Sequence, residues 1–119
     1  MINRTHRFHG YGSLKDVYRS GQTVRGPLFS IKTSPNTKKT SYRLAVVVSR
    51  KVNKSAVVRN RIRRRLYEIV RLLEQDIVGP HDIVISVFHD RVAEEPQAAL
   101  VAQTKKLLTE AGILAKRLR

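Results

Sequence analysis

Between Ala56 and Leu73 the chain carries two messages on one helix. Val58, Ile62, Leu66, Ile69 and Leu73 recur at helical spacing and fall on one face. Asn60, Arg63, Arg64, Tyr67 and Arg71 fall on the other, with Arg61 and Arg65 toward one flank. A helix with such an apolar stripe needs a core to lie on. The preceding segment supplies one: Tyr42 to Ser49 is a nearly continuous apolar run, the pattern of a central strand covered on both faces. Arg50 to Lys54 is a basic loop, and Ser55 is placed to cap the helix. Strand, short loop and amphipathic helix together require a sheet with a helix packed against it.

The rest of the chain fits that frame. Ser13 can cap a short helix over 14–20, where Leu14, Val17 and Tyr18 form one stripe and Gly21 follows. Gln22 to Arg25 is a short strand, broken by Gly26-Pro27. Leu28 to Lys32 alternates, with Phe29 and Ile31 on one side. Thr33 to Thr40 reads as a polar loop. Asp82 to Phe88 is a further strand with two apolar faces. Glu94-Glu95-Pro96 opens a last helix with Leu100, Leu107, Leu108 and Ala111 as its core stripe, ended by Gly112. With 119 residues the chain makes a single domain, 1–119, with 1–12 and 113–119 irregular. The order αβββαβα predicts an α+β two-layer sandwich.

Charge then narrows the partner. There are 24 Lys and Arg against 9 Asp and Glu, a net +15. Residues 38–71 hold twelve basic side chains and one acid, Glu68, or +11 of that total. Charge this local marks a docking surface for a polyanion. Five of the seven residues from Arg59 to Arg65 are arginine. An ordinary solvated helix face mixes signs, because like charges at i,i+4 destabilise a helix. Here only Glu68 can pair, with Arg64 or Arg65. Unpaired arginines in this number are explained by phosphate neutralisation.

RNA fits better than DNA. A major-groove reader normally stands clear after another helix and a tight turn, whereas this helix follows a strand and packs on a sheet. Its arginines reach backbone more easily than base edges. Single-stranded RNA also needs stacking surfaces. Among the aromatic candidates, Phe29 reads as ordinary core, Tyr18 fits either role, and Tyr67, on the basic side, is expected to expose its phenol. Tyr42 is the fourth candidate.

Protein-based catalysis is not indicated. The chain has no cysteine, so disulfides, thiol catalysis and cysteine zinc sites are excluded, and a cytoplasmic setting fits. His6, His9, His81 and His89 lack a metal-ligand spacing, and Asp16, Asp76, Asp82 and Asp90 lack a clustered two-metal pattern. No nucleophile constellation is present. No apolar stretch has the length of a membrane span, and no apolar run follows the charges of the first residues, so neither membrane nor secretory targeting is expected.

Ala45-Val46-Val47-Val48-Ser49-Arg50-Lys51-Val52 followed by Ala56-Val57-Val58-Arg59-Asn60-Arg61-Ile62-Arg63-Arg64 resembles the signature of the bacterial ribonuclease P protein subunit. The resemblance covers residues 4–112. It implies a four-stranded sheet with a left-handed βαβ crossover, against the usual right-handed rule. It implies binding to a large catalytic RNA and support of 5′-leader removal from precursor tRNA, the hydrolysis belonging to the RNA with Mg²⁺ in the holoenzyme and no cofactor bound by the protein alone. Arg59, Asn60, Arg61, Arg63 and Arg64 would contact the catalytic RNA. Leu14, Tyr18, Phe29, Ile31, Lys32, Ser49, Arg50 and Lys51 would line a cleft for the leader. Members commonly carry aromatics where Leu14 stands and near Lys32, and this chain departs from the pattern at both. No DNA partner is expected. The alternative is a ribosomal or ribosome-assembly RNA-binding protein with no catalytic association.

Overall fold

The computed structural model describes residues 21–35, 42–78 and 81–114. Among these, four strands form one mixed sheet in the order β1-β2-β4-β3: β1 (Gln22–Arg25), β2 (Phe29–Pro35), β3 (Arg43–Val48) and β4 (His81–Val87). β2 runs antiparallel to both β1 and β4, while β3 is parallel to β4. Parallel neighbours need a crossover, and α1 (Ala56–Leu73) provides it. α2 (Gln97–Glu110) follows β4. The expected helix over 14–20 lies outside the described residues.

Both helices cover one face of the sheet. Phe29 and Ile31 of β2, Ile83, Ile85 and Val87 of β4, and Leu44, Val46 and Val48 of β3 point into a single core. Ile62, Leu66, Ile69 and Val70 of α1 and Leu100, Leu107 and Leu108 of α2 close it. The helical stripes expected from the sequence are therefore the buried ones, with Val58, Leu73 and Ala111 packed at the margin. Ser55 caps α1 as expected: its Oγ accepts from the Val58 amide at 3.3 Å. Asn53 Oδ1 accepts from the Ser55 amide at 2.8 Å and fixes the entry to the helix. Gly112, at φ 78°, takes the left-handed conformation that ends α2.

Two expectations need correction. β3 is not central but lies at the end of the strand order and, among the described residues, pairs with β4 alone. Its side chains alternate buried and half-buried, because only one face meets the helices. The central, doubly apolar strand is β4. β2 runs on through Thr33, Ser34 and Pro35, read as loop, because β4 offers Ile83, Asp82 and His81 as partners there. Proline is tolerated at such a strand end. Ile113 and Leu114, in the segment expected to be irregular, belong to no helix or strand, yet both are buried and Leu114 makes an isolated bridge to Ile77.

The strand register defines a second face, opposite the core. Arg25, Ser30, Ser86 and Val47 form one row across the four strands, and Thr23, Lys32, Val84 and Ala45 the next. Ser34, Asp82 and Arg43 make a third across β2, β4 and β3. Small and polar side chains dominate these rows.

Candidate nucleic-acid interface

The arginines of α1 are not equivalent. Arg59 turns back on the loop before the helix, and its Nη1 donates to the carbonyls of Asn53 and Lys54, both at 2.9 Å. Arg65 reaches across to the segment between β4 and α2. Its Nη1 donates to Val92 O at 2.7 Å, and its Nη2 to Glu95 O at 2.6 Å and Gln97 Oε1 at 3.2 Å. These two guanidiniums fasten α1 to its surroundings. Arg63 is shared: Nη2 donates to Asn60 Oδ1 at 2.5 Å, and Nη1 reaches toward Val48 O at 3.5 Å.

Arg61 and Arg64 are exposed and make no hydrogen bond or ion pair among the described residues. Three positions apart on a helix, their side chains leave neighbouring points of the same surface, about 5–6 Å apart at Cβ. Two free guanidiniums on a helix held at both flanks can bind adjacent phosphates with little reorganisation. Arg50, Lys51 and Lys54 are exposed in the loop just before the helix and add positive charge at its N-terminal end. Arg43 does not contribute. It is bound bidentately to Asp82, with side-chain exposures of only 13% and 10%.

Glu68, expected beside Arg64 or Arg65, pairs instead with Arg71 at 3.1 Å. Arg65 is engaged with backbone carbonyls. Tyr67 also departs from expectation: it is half-buried, and its hydroxyl accepts from the Val46 amide at 3.4 Å. Tyr42, a further aromatic candidate, is 4% exposed and donates its hydroxyl to Glu74 Oε2 at 2.8 Å. Burial first, then that bond, push its phenol well above the ordinary value of 10.0.

The residues carried over for a leader cleft divide. Phe29 and Ile31, at 1% and 0% exposure, belong to the core under the helices and offer no surface to a ligand. This corrects their place in the cleft. They alternate with Lys32, which points to the opposite face. Ser49, Arg50 and Lys51 are exposed where β3 ends. Leu14 and Tyr18 lie outside the described residues.

At the same end of the sheet, Phe88 follows β4 and is 38% exposed. The Arg25 guanidinium sits over its ring, 4.6 Å from the centroid. By sequence Phe88 is the last residue of an apolar strand. The missed signal was its position in the alternation, two residues past half-buried Ser86 on the polar face. Among the described residues no group of His, Asp or Glu side chains is arranged to hold a metal ion. His89, for instance, uses Nδ1 to accept from the Arg91 amide at 3.0 Å. No described helix is long and apolar enough to cross a membrane.

A mixed sheet backed by two helices, with free arginines on the outer surface of the crossover helix, defines a small α+β RNA-binding protein. Comparison with known proteins makes this specific. The family model for ribonuclease P matches residues 2–112. The chain is 33% identical over 113 residues to the ribonuclease P protein component of Roseiflexus castenholzii, spanning 95% of this chain and 91% of that protein. It is 33% identical over 115 residues to the protein of the same name from Pseudanabaena sp., spanning 96% and 97%. Its fold is similar to the Staphylococcus aureus RNase P protein, with TM-score 0.81, 22% identity and coverage of 92% and 98%. It is also similar to the Thermotoga maritima RNase P protein, with TM-score 0.73, 23% identity and coverage of 82% and 89%. The chain belongs to the ribonuclease P protein component family. Its general role is RNA binding in tRNA processing, as the protein component of a ribonucleoprotein endonuclease whose partner is the ribonuclease P RNA.

Proposed function

We propose that this protein binds the catalytic RNA of ribonuclease P through the outer surface of α1 and guides the 5′ leader of precursor tRNA along the exposed end of the polar sheet face. The observation that carries this reading is the division of labour in the arginine run. Arg59 and Arg65 are consumed in fastening the helix, while Arg61 and Arg64 remain free and exposed. Asn60 and Arg63 flank them as an already formed pair.

The protein's work is then electrostatic and positional. It neutralises phosphates that would otherwise repel each other where two RNAs meet, which lowers the cation concentration the assembly needs. Ser49, Arg50 and Lys51 at the end of β3 receive the leader, and Lys32 contributes from within the polar face. Bond cleavage belongs to the RNA and its Mg²⁺, which supplies the nucleophile and stabilises charge. The setting is cytoplasmic.

The test is cleavage of precursor tRNA by a bacterial ribonuclease P RNA at low Mg²⁺, with and without the protein, beside a protein-only control. Strong stimulation, with nothing from the protein alone, is the expected result. Tight RNA binding without stimulation would return the protein to the ribosome-assembly class. Cleavage by the protein alone would overturn the assignment of chemistry to the RNA.

A further inference from the structure

The Arg25–Phe88 pair has no evident role in the core. Phe88 is one of the few large apolar side chains left exposed, at 38%, and it stands outside the buried cluster. Its backbone is nonetheless fixed, because its amide donates to Leu28 O at 3.1 Å and extends the β2–β4 pairing by one step. The guanidinium of Arg25 lies over the ring at 4.6 Å, while Arg25 itself is exposed. The ring is therefore held in place and is still reachable.

Its location gives the pair a meaning. Arg25 stands in register with Ser30, Ser86 and Val47 on the polar face. Phe88 lies two residues beyond Ser86, as Ser49 lies two beyond Val47, so ring and serine end adjacent strands. Exposed Arg50 and Lys51 follow Ser49. An aromatic ring and a guanidinium plane thus lie together at this end of the sheet, and two further exposed cations follow Ser49 in the chain. An aromatic surface for a base beside cations for the backbone is how proteins hold single-stranded nucleic acid.

We infer that Arg25 and Phe88 form a stacking platform for one unpaired nucleobase of the precursor tRNA leader. The base stacks against the Phe88 ring or the Arg25 guanidinium plane, and the in-plane N–H groups of Arg25 remain available to the neighbouring phosphate. Stacking is tolerant of base identity, since every base has a π-face. This inference rests on the leader-guiding role proposed above and adds the residues and the contact.

The experiment uses holoenzyme assembled from this protein and a bacterial ribonuclease P RNA. Affinity is measured for precursor tRNA with a long single-stranded leader and for the same tRNA without one. Leaders with 2-aminopurine walked through successive positions report stacking as fluorescence quenching. The platform predicts that F88A weakens long-leader binding about tenfold, within the range of one base–aromatic stack. Leaderless tRNA and affinity for the catalytic RNA stay unchanged. F88Y retains wild-type binding, F88L does not, and quenching at one leader position disappears in F88A. F88Y and thermal melts of all variants guard against misfolding. Equal binding of both substrates by wild type and a folded F88A overturns the platform and leaves the general role intact. Failure of the wild-type protein to favour the long-leader substrate overturns the leader-guiding role itself. Loss of affinity for the catalytic RNA in F88A, with leader binding preserved, also overturns the platform.

Discussion

Arg43 and Asp82 face each other across the parallel β3–β4 pair, joined by hydrogen bonds of 2.9 and 2.8 Å in the fork geometry of guanidinium and carboxylate. By sequence Arg43 is one of the basic residues of the 38–71 segment. By structure it is a nearly buried strut that ties the crossover strand to the centre of the sheet. Arg43→Ala strands the Asp82 carboxylate and is expected to lower stability by about 3 kcal/mol in a urea titration. Replacing both by apolar residues of similar volume should recover most of the loss. The salt dependence of RNA binding should match wild type in every variant that folds; a shallower slope would place Arg43 on the RNA.

Arg61 and Arg64 should behave in the opposite way. Arg61→Ala and Arg64→Ala are each expected to leave the melting temperature within about 2 °C of wild type, as for surface substitutions in a domain of this size. Each should reduce the slope of log K against log salt for the catalytic RNA by about one. A filter-binding series over several salt concentrations measures this directly, and unchanged slopes would contradict the proposed surface.

Arg65→Ala separates fastening from binding. Two charge-assisted bonds to the carbonyls of Val92 and Glu95 are lost. The expected cost is about 2 kcal/mol in stability. The salt slope should stay near wild type, because this guanidinium faces protein. Loss of slope without loss of stability would reverse the role.

Tyr42 gives a pH signature. In the unfolded chain its phenol ionises near 10.0, while in the folded protein burial and the Glu74 bond hold the proton to higher pH. The unfolded state therefore gains relative stability as the pH rises above that value, and folding stability is lost there. Tyr42→Phe should cost about 1 kcal/mol at neutral pH and flatten the alkaline part of the profile. Equilibrium unfolding from pH 7 to beyond 10 checks both effects, and parallel profiles would remove Tyr42 as their source.

Much of this was legible in the sequence where periodicity carries the information. The limits of α1 follow from its stripe and from Ser55, and both are found as expected. Strand alternation already put Lys32 on the side away from Phe29 and Ile31. That parity should have kept the latter two out of any cleft shared with Lys32. The edge position of β3 was not legible, because Ala45 and Val47 on the half-buried polar face extend the apolar run as a central strand would. Nor could the sequence sort the arginines. Which guanidinium reaches Val92 and Glu95 depends on where the segment after β4 lies against α1, a tertiary fact with no local signature. Phe88 was hidden at the end of an apolar strand.

The outer side of β3 has one more consequence. Val46 N–H is taken by the Tyr67 hydroxyl, and Val48 C=O lies within reach of Arg63. An unpaired strand invites a second chain to add to it. Here the helix that carries the free arginines also occupies that rim. The residue that draws in a polyanion and the residue that repels a stray strand are thus neighbours on one helix. Damage to α1 should appear first as self-association of the free protein, before any fault in RNA processing is seen.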